Sequence, residues 1–446
     1  MVLVDLFFVK TKNKFFDNLI LSIPKWISIG IVSLIFIVDT YADPIHYDIN
    51  VHGLFDFRYV HADANRSWLD KGLGVYRYGG NDNNFFQVNE AALVLQARLN
   101  TAWTASVTGK YAYRQGTAFG ISEGILGFHP VSTTAWRFNA RLGAFMPPIS
   151  MENNGTAWSS PYTLTNSAIN TWVGEELKVF GGEAQVSYQF DSGFKVNAFG
   201  SGFVNNDTAG TLIAWRGWSF SNYVATVNES YPLTELGNPF TRLGSKQASN
   251  TKPFVEVDNR PGYYAGLSLD RLESIKIRTL YYDNRADPAA VSADGQWAWH
   301  THFWNAGLKM DLPWQMTLIG EGMTGRTSMG KEVEGKFIAD NGFWSESILL
   351  SKAMGFHRVS VRYDNFGTDQ KALRPRFINV KKGYGEVGYG EQGDAWTLNY
   401  NVTPFEHNQL NFEISSVYKN RQERVLLNIS PEQRETLYQC SYRIFF

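Results

Sequence analysis

The chain has 446 residues, 44% hydrophobic and 15% aromatic, with 40 Gly, one Cys and a formal net charge of −1. A mean hydropathy of −0.26 excludes a bundle of apolar membrane helices. The near-neutral charge gives no electrostatic case for a nucleic-acid partner, and the single cysteine, Cys440, excludes an intrachain disulfide and a thiolate zinc cluster.

The long apolar run of the chain, ISIGIVSLIFIV (Ile27 to Val38), follows Lys10, Lys12, Lys14 and Lys25 and precedes DTYADP. A bilayer-spanning helix needs about 20 apolar residues, so this run is too short. With Thr40 and Ala42 at the small-residue positions, residues 1–42 read as a secretory signal peptide cleaved before Asp43, leaving 43–446 as the mature chain.

Next comes HYDINVHGLFDFRYV, in which Ile49, Val51, Phe55, Phe57 and Tyr59 alternate with Asp48, Asn50, His52, Asp56 and Arg58. This period-two run is longer than a typical soluble strand of about five or six residues. EAALVLQARL and TASVTGKYAYR repeat the pattern across a tight turn at Asn100 to Ala102. Further strands are predicted near 119–128, 135–145, 177–190, 194–203, 263–270, 274–282, 301–311, 315–324, 342–353, 357–364, 394–403, 408–418 and 435–446, which makes sixteen. Short connections alternate with mostly long ones, as in outer-membrane barrels with periplasmic turns and extracellular loops. The fold class is therefore all-β, a single transmembrane antiparallel β-barrel of sixteen strands located in the bacterial outer membrane. An even count lets the ends meet, and lipid requires closure because an open edge leaves unpaired backbone groups there.

Two connections stand out. Residues 146–176, MPPISMENNGTAWSSPYTLTNSAINTWVGEE, carry Glu152, Trp158, Tyr162, Trp172, Glu175 and Glu176, too many aromatics for a plain solvated loop, and are expected to fold into the barrel as a constriction. Residues 204–262 form the longest connection, with a short helix expected over the mouth. His300 and His302 share a strand face but lack a third ligand, so no metal is assigned, and no cofactor is implied.

The other face of the strands lines the lumen. Arg58, Arg98, Lys110, Arg114, Arg137, Arg141, Lys276, Arg278, Arg358 and Arg362 are the expected pore-lining cations, facing fewer acids such as Asp56, Glu90, Glu183, Glu321 and Glu413. Packing this many charges into a core would be costly, so a water-filled lumen is expected, with a preference for anions. The chain ends on TLYQCSYRIFF, where Tyr442, Ile444 and Phe446 lie on the apolar row. A closing aromatic of this kind is expected to seal the barrel and to resemble the terminal signal read by the barrel-assembly machinery.

The run RFNARLGAFMPP into ISMEN, a long loop closed by GEEL, the strand GGEAQVSYQF and the terminal YRIFF together resemble the phosphate-selective porin O/P family of bacterial outer-membrane porins. The resemblance implies a passive porin for small hydrophilic solutes or ions and a homotrimer in outer-membrane lipid. The loop 146–176 contains no Lys or Arg, so the dense basic run that phosphate specificity would need is missing. The alternatives are an outer-membrane enzyme of lipase or protease type, for which neither Gly-x-Ser-x-Gly nor His-Glu-x-x-His occurs, and a plugged structural or adhesive barrel.

Overall fold

A computed structural model describes residues 48–446, apart from 81–82, 115, 117–118, 235–246, 272–273, 336 and 371–389. The leader expected over 1–42 lies outside the described residues. Sixteen strands form a closed antiparallel barrel: β1 (Asp48–Asp63), β2 (Asn84–Arg98), β3 (Trp103–Ala112), β4 (Gly120–Phe128), β5 (Trp136–Phe145), β6 (Val179–Gln189), β7 (Phe194–Val204), β8 (Gly262–Arg271), β9 (Ile275–Asp283), β10 (His300–Leu312), β11 (Met316–Met329), β12 (Ala339–Met354), β13 (His357–Gln370), β14 (Gly390–Phe405), β15 (Asn408–Arg421) and β16 (Glu432–Phe445).

Closure is made by β1 and β16, in register from Leu54 opposite Phe445 to Asp63 opposite Thr436. The terminal residue extends the ladder by one pair: Gly53 N donates to Phe446 O (2.9 Å) and Phe446 N to Gly53 O (3.2 Å). The Phe446 ring stacks on Phe55 at 5.9 Å and lies where a Cβ on Gly53 would sit, 2.0 Å away, so a side chain at Gly53 would displace the ring. Phe446 thus completes the outer seam.

The two faces follow the alternation. Ile49, Phe55, Tyr59, Trp304, Trp396, Leu398 and Tyr442 are exposed on the outside, whereas Asp56, Arg58, Glu413, Gln439 and Arg443 are buried on the inside. No helix of the described residues is long and apolar enough to cross a membrane, and the strands do the crossing. The wall has two heights: β3 to β9 run 9–11 residues, while β10 to β16 run 13–16. On the tall side the strands continue toward the loops past the predicted ends. There the outward residues are polar, as Asn365 and Asp369 on β13 and Arg326 and Ser328 on β11. Beyond the lipid the outer face no longer has to be apolar, so the alternation fades while the ladder persists.

Three connections send described residues into the lumen: loop 1 (64–80), loop 3 (146–178) and loop 4 (205–234 and 247–261 of the connection). Loop 3 carries helix α1 (Ala168–Glu176), buried on every side, with Ser167 as N-cap accepting from Asn170 N; loop 4 carries α2 (Thr211–Arg216). Around α1 the wall contributes one apolar layer. Val60, Phe145, Val179, Phe203, Tyr264, Tyr282, Phe303, Met323, Phe343, Phe366, Ala395, Val417 and Leu437 are each at most 4% exposed, and Phe85 on β2, Ile125 on β4 and Tyr113, just past the end of β3, complete the circuit.

Candidate functional site

The lumen holds two different kinds of wall. On the tall side, inward charges are spent on the inserted loops, and mostly on their main chain. Arg362 on β13 donates to Thr165 O (2.6 Å) and Asn166 O (2.9 Å), with Thr163 Oγ1 at 3.0 Å and Glu152 at 3.4 Å. Its neighbour on the same row, Asp364, accepts from Arg362 Nε (2.8 Å) and from Ala168 N (3.2 Å). Glu413 on β15 accepts from Leu164 N (2.5 Å) and Thr165 N (2.9 Å). Residues 163–168 are thus gripped by their carbonyls and their amides together.

The same pattern recurs along loop 3. Arg278 donates to Ile149 O (2.7 Å) and Ser150 O (2.8 Å), Glu321 accepts from Met151 N (2.7 Å), Lys110 donates to Ala157 O (3.1 Å) while pairing with Glu90 (2.6 Å), and Arg443 donates to Ser160 O (3.2 Å). Arg58 pairs with Asp56 and donates to Gln439 Oε1 (2.8 Å). The expectation that these charges stand hydrated in a water-filled lumen is corrected for Arg58, Lys110, Arg278 and Arg362. All four are at most 7% exposed, and their burial is offset by wall groups for Arg58 (Asp56 and Gln439) and by peptide groups of loop 3 for Lys110, Arg278 and Arg362. Arg114 is corrected as well: it lies beyond the end of β3 with φ of 63° and is bonded to Asp70 of loop 1, because the strand stops at Ala112.

Within the inserted body, Trp172 packs edge-on against Phe303 (5.5 Å) and Phe343 (5.2 Å) at the centre of the apolar layer. Glu152 accepts from Ser167 N (2.7 Å) and Asn170 Nδ2 (3.0 Å), and Glu175 binds Arg216 and Ser221 Oγ (2.7 Å). Glu176 accepts from Trp172 Nε1 (2.6 Å), Gly210 N (3.1 Å) and Leu212 N (3.0 Å), tying α1 to the start of α2; burial lifts its carboxyl to about 7. Trp158 is half-buried, with its ring against Gly174 of α1. None of the three loop carboxylates points into open water.

Toward the turns, several inward residues on both sides of the wall are half-open. Lys195, Asp270, Lys276 and Lys309 are register partners across β7 to β10, with Lys195 to Asp270 at 3.5 Å. Tyr162 forms part of the roof, with Lys309 at 5.8 Å and Arg358 at 5.4 Å from its ring. Arg141 pairs with Glu183 (2.9 Å), and Arg358 donates to Ser351 Oγ (3.0 Å). Lys276, Lys309, Arg98 and Arg137 form no ion pair among the described residues, and Arg98 and Arg137 are exposed at the turn rim. This is a basic vestibule beneath a closed roof.

Near the loop rim, Asp207, Glu256 and Asp258 bring one oxygen each within 4.8 Å, the described grouping with metal-ligand spacing; burial raises Asp207 to about 7. His300 is bonded to Asp283 (3.1 Å) and its ring lies 5.2 Å from that of His302, on the outer face. Sequence reasoning missed Asp364 and Glu413 as partners of loop 3, and the inward row on which both lie was the one available signal.

A closed, sixteen-stranded antiparallel barrel with an apolar outside, a charged inside and a long third loop folded inward is the architecture of bacterial outer-membrane porins and channels. Among solved structures, the outer membrane channel DcaP of Acinetobacter baumannii matches with a TM-score of 0.52 at 10% identity, over 91% of this chain and 99% of that one. A loop L8 deletion mutant of OmpT, an outer membrane protein of Vibrio cholerae, matches at 0.49 and 10% over 90% and 100% of the two chains, and Pseudomonas putida OprB at 0.47 and 10% over 90% and 94%. At such identities the DcaP likeness is one of fold. No protein-family model matches the chain, and no curated protein matches it.

Proposed function

We propose that the protein is an outer-membrane channel for passive diffusion of small hydrophilic solutes, closed in this conformation by its inserted loops and anion-preferring at its vestibule. It acts as a pore and not as an enzyme. The observation that carries the reading is the vestibule: Lys276 and Lys309, adjacent in register and half-open to water, are left over after the tall wall has paired its charges with the loops. Fixed positive charge on a narrow, low-dielectric passage concentrates anions, an effect that fades as the Debye length falls from about 30 Å at 0.01 M salt to about 3 Å at 1 M. Phosphate specificity is not included, because residues 146–176 contain no Lys or Arg and Lys178 is buried against Ser122 O.

The specific observation favouring a plugged structural barrel is the unbroken apolar layer around Trp172. Reversal potentials of the purified barrel in a salt gradient separate the two readings: an anion-selective current that drops in a Lys276→Gln, Lys309→Gln double variant supports the channel, and no current at any voltage supports the plug. The proposal includes cleavage of the leader before Asp43, assembly through the Tyr442, Ile444, Phe446 row and homotrimers in outer-membrane lipid; N-terminal sequencing and the native mass of the extracted protein test the first and last.

A further inference from the structure

Loops 1, 3 and 4 are joined to one another in a different way from their attachment to the wall. Between loops 3 and 4, Asn166 N donates to Ser221 O (3.2 Å), Thr171 Oγ1 to Ser221 O (3.0 Å) and Ala225 N to Gly174 O (2.8 Å), while Glu175 holds Arg216 and Glu176 caps α2. Between loops 1 and 4, Phe220 N donates to Val75 O (2.9 Å), Thr234 Oγ1 to Gly72 O (2.8 Å), and Trp68 packs edge-on against Tyr223 and Tyr231. The three loops therefore share a core and a hydrogen-bond network. In addition to the apolar layer around Trp172, they are attached to the wall largely by charged side chains that bond to loop peptide groups. Besides the loop 3 contacts, Glu391 accepts from Trp218 N (2.8 Å) while Lys419 donates to Trp218 O (3.2 Å), and Glu435 accepts from Asn65 N (3.0 Å) and Val75 N (2.9 Å).

We propose that loops 1, 3 and 4 form one rigid plug, and that Arg362, Asp364 and Glu413 are the latch that holds it in the barrel. The latch grips residues 163–168 from both sides of the chain, immediately before α1, so it positions the N-terminal end of the helix that carries Trp172. Arg362 is its keystone: it alone touches Glu152 of the plug, Asp364 of the wall and two plug carbonyls. Removing its charge leaves Glu152, Asp364 and Glu413 clustered without their shared cation. Because most of its grip is on plug peptide groups just before α1, the latch releases by moving the plug as a whole and not by local rearrangement.

The test is hydrogen–deuterium exchange by mass spectrometry on the full-length barrel in detergent. In the wild type, peptides covering 160–176 and 211–226 exchange slowly. Arg362→Gln should raise exchange in both by at least tenfold while β13 and β14 stay protected. Glu413→Gln, which keeps one of the two acceptor oxygens, should raise exchange less than Glu413→Leu, which should resemble Arg362→Gln; should the arginine variant not fold, this leucine and glutamine pair carries the test. Rapid exchange in the wild type, no change in Arg362→Gln and Glu413→Leu, or a rise in 160–176 alone overturns the proposal. The exchange readout is independent of conduction: latch variants that loosen the plug without any current leave the latch standing and remove the channel reading.

Discussion

Arg362 and Lys276 are both cations on the inward row of a strand, and they have opposite surroundings. Arg362 is wholly buried, with its guanidinium divided between the wall and loop 3, whereas Lys276 is half-open beside Lys309 and Asp270. The difference lies in coverage: loop 3 lies over Arg362 and bonds to it, whereas Lys276 lies nearer the turns and is left half-open. Identical chemistry on one barrel row serves as a structural clasp where a loop covers it and as a lining where none does. Counting inward charges therefore overestimates the charge a solute meets.

The comparison is most severely tested at the seal. Replacing Trp172 by Ala should cost about 3–5 kcal/mol of packing at the apolar layer. It should make loops 3 and 4 susceptible to protease added to the purified barrel, with the strands resistant; a variant as resistant as the wild type would mean that the layer does not hold the plug.

Next come two residues on opposite faces of β16. Tyr442→Asp places a charge toward lipid, at a cost on the order of 2 kcal/mol that lessens near the interface, and should reduce the heat-modifiable, assembled form on gels. Gln439→Asp should leave assembly intact but loosen the plug. From the sequence alone this inner position reads as a tolerant, hydrated site; the structure places it 4% exposed between Arg58, Thr165 and Glu413, where a second carboxylate meets Glu413. Equal assembly defects in both variants would erase the distinction between the faces.

A smaller effect is expected at the vestibule. Lys276→Gln with Lys309→Gln should lower the anion-to-cation permeability ratio several-fold at low salt and leave little difference at 1 M, whereas Arg141→Gln, already neutralised by Glu183, should matter less. The ratio from reversal potentials ranks them, and a larger effect at Arg141 would show that pairing does not silence a lining charge.

The smallest is a pH dependence inside the plug. Burial lifts Glu176 from its ordinary 4.5 to about 7, so the docked arrangement favours the protonated acid. Its contribution is full below about 4.5 and is lost as pH rises through about 7. Protease digestion of loop 4 should be a few-fold slower at pH 5 than at pH 8 after correction for protease activity, and Glu176→Gln should flatten the difference. The opposite slope would mean that the Gly210 and Leu212 amides outweigh burial.

The parts of the molecule legible in its sequence are those that lipid constrains. Sixteen strands, their faces and the closing seam follow from an outside that must be apolar at every second residue, as in Phe55, Phe57 and Tyr59. The tops of β11 to β14 were less legible because no lipid disciplines Asn365 or Arg326. Helix α1 was hidden for the reverse reason: AINTWVGEE is buried all round, so it shows no apolar stripe. The latch joins positions some 200 residues apart, and nothing in the spacing of Glu152, Arg362 and Glu413 marks them as neighbours.

The central claim is that the inserted loops close the barrel. Planar-bilayer conductance of the full-length protein should be compared with that of a variant in which 150–174 is replaced by a short Gly-Ser link and which still shows the heat-modifiable barrel form. The account predicts that at low voltage the full-length protein conducts a small fraction of what the shortened variant conducts. Equal, steady conductance from both would contradict it.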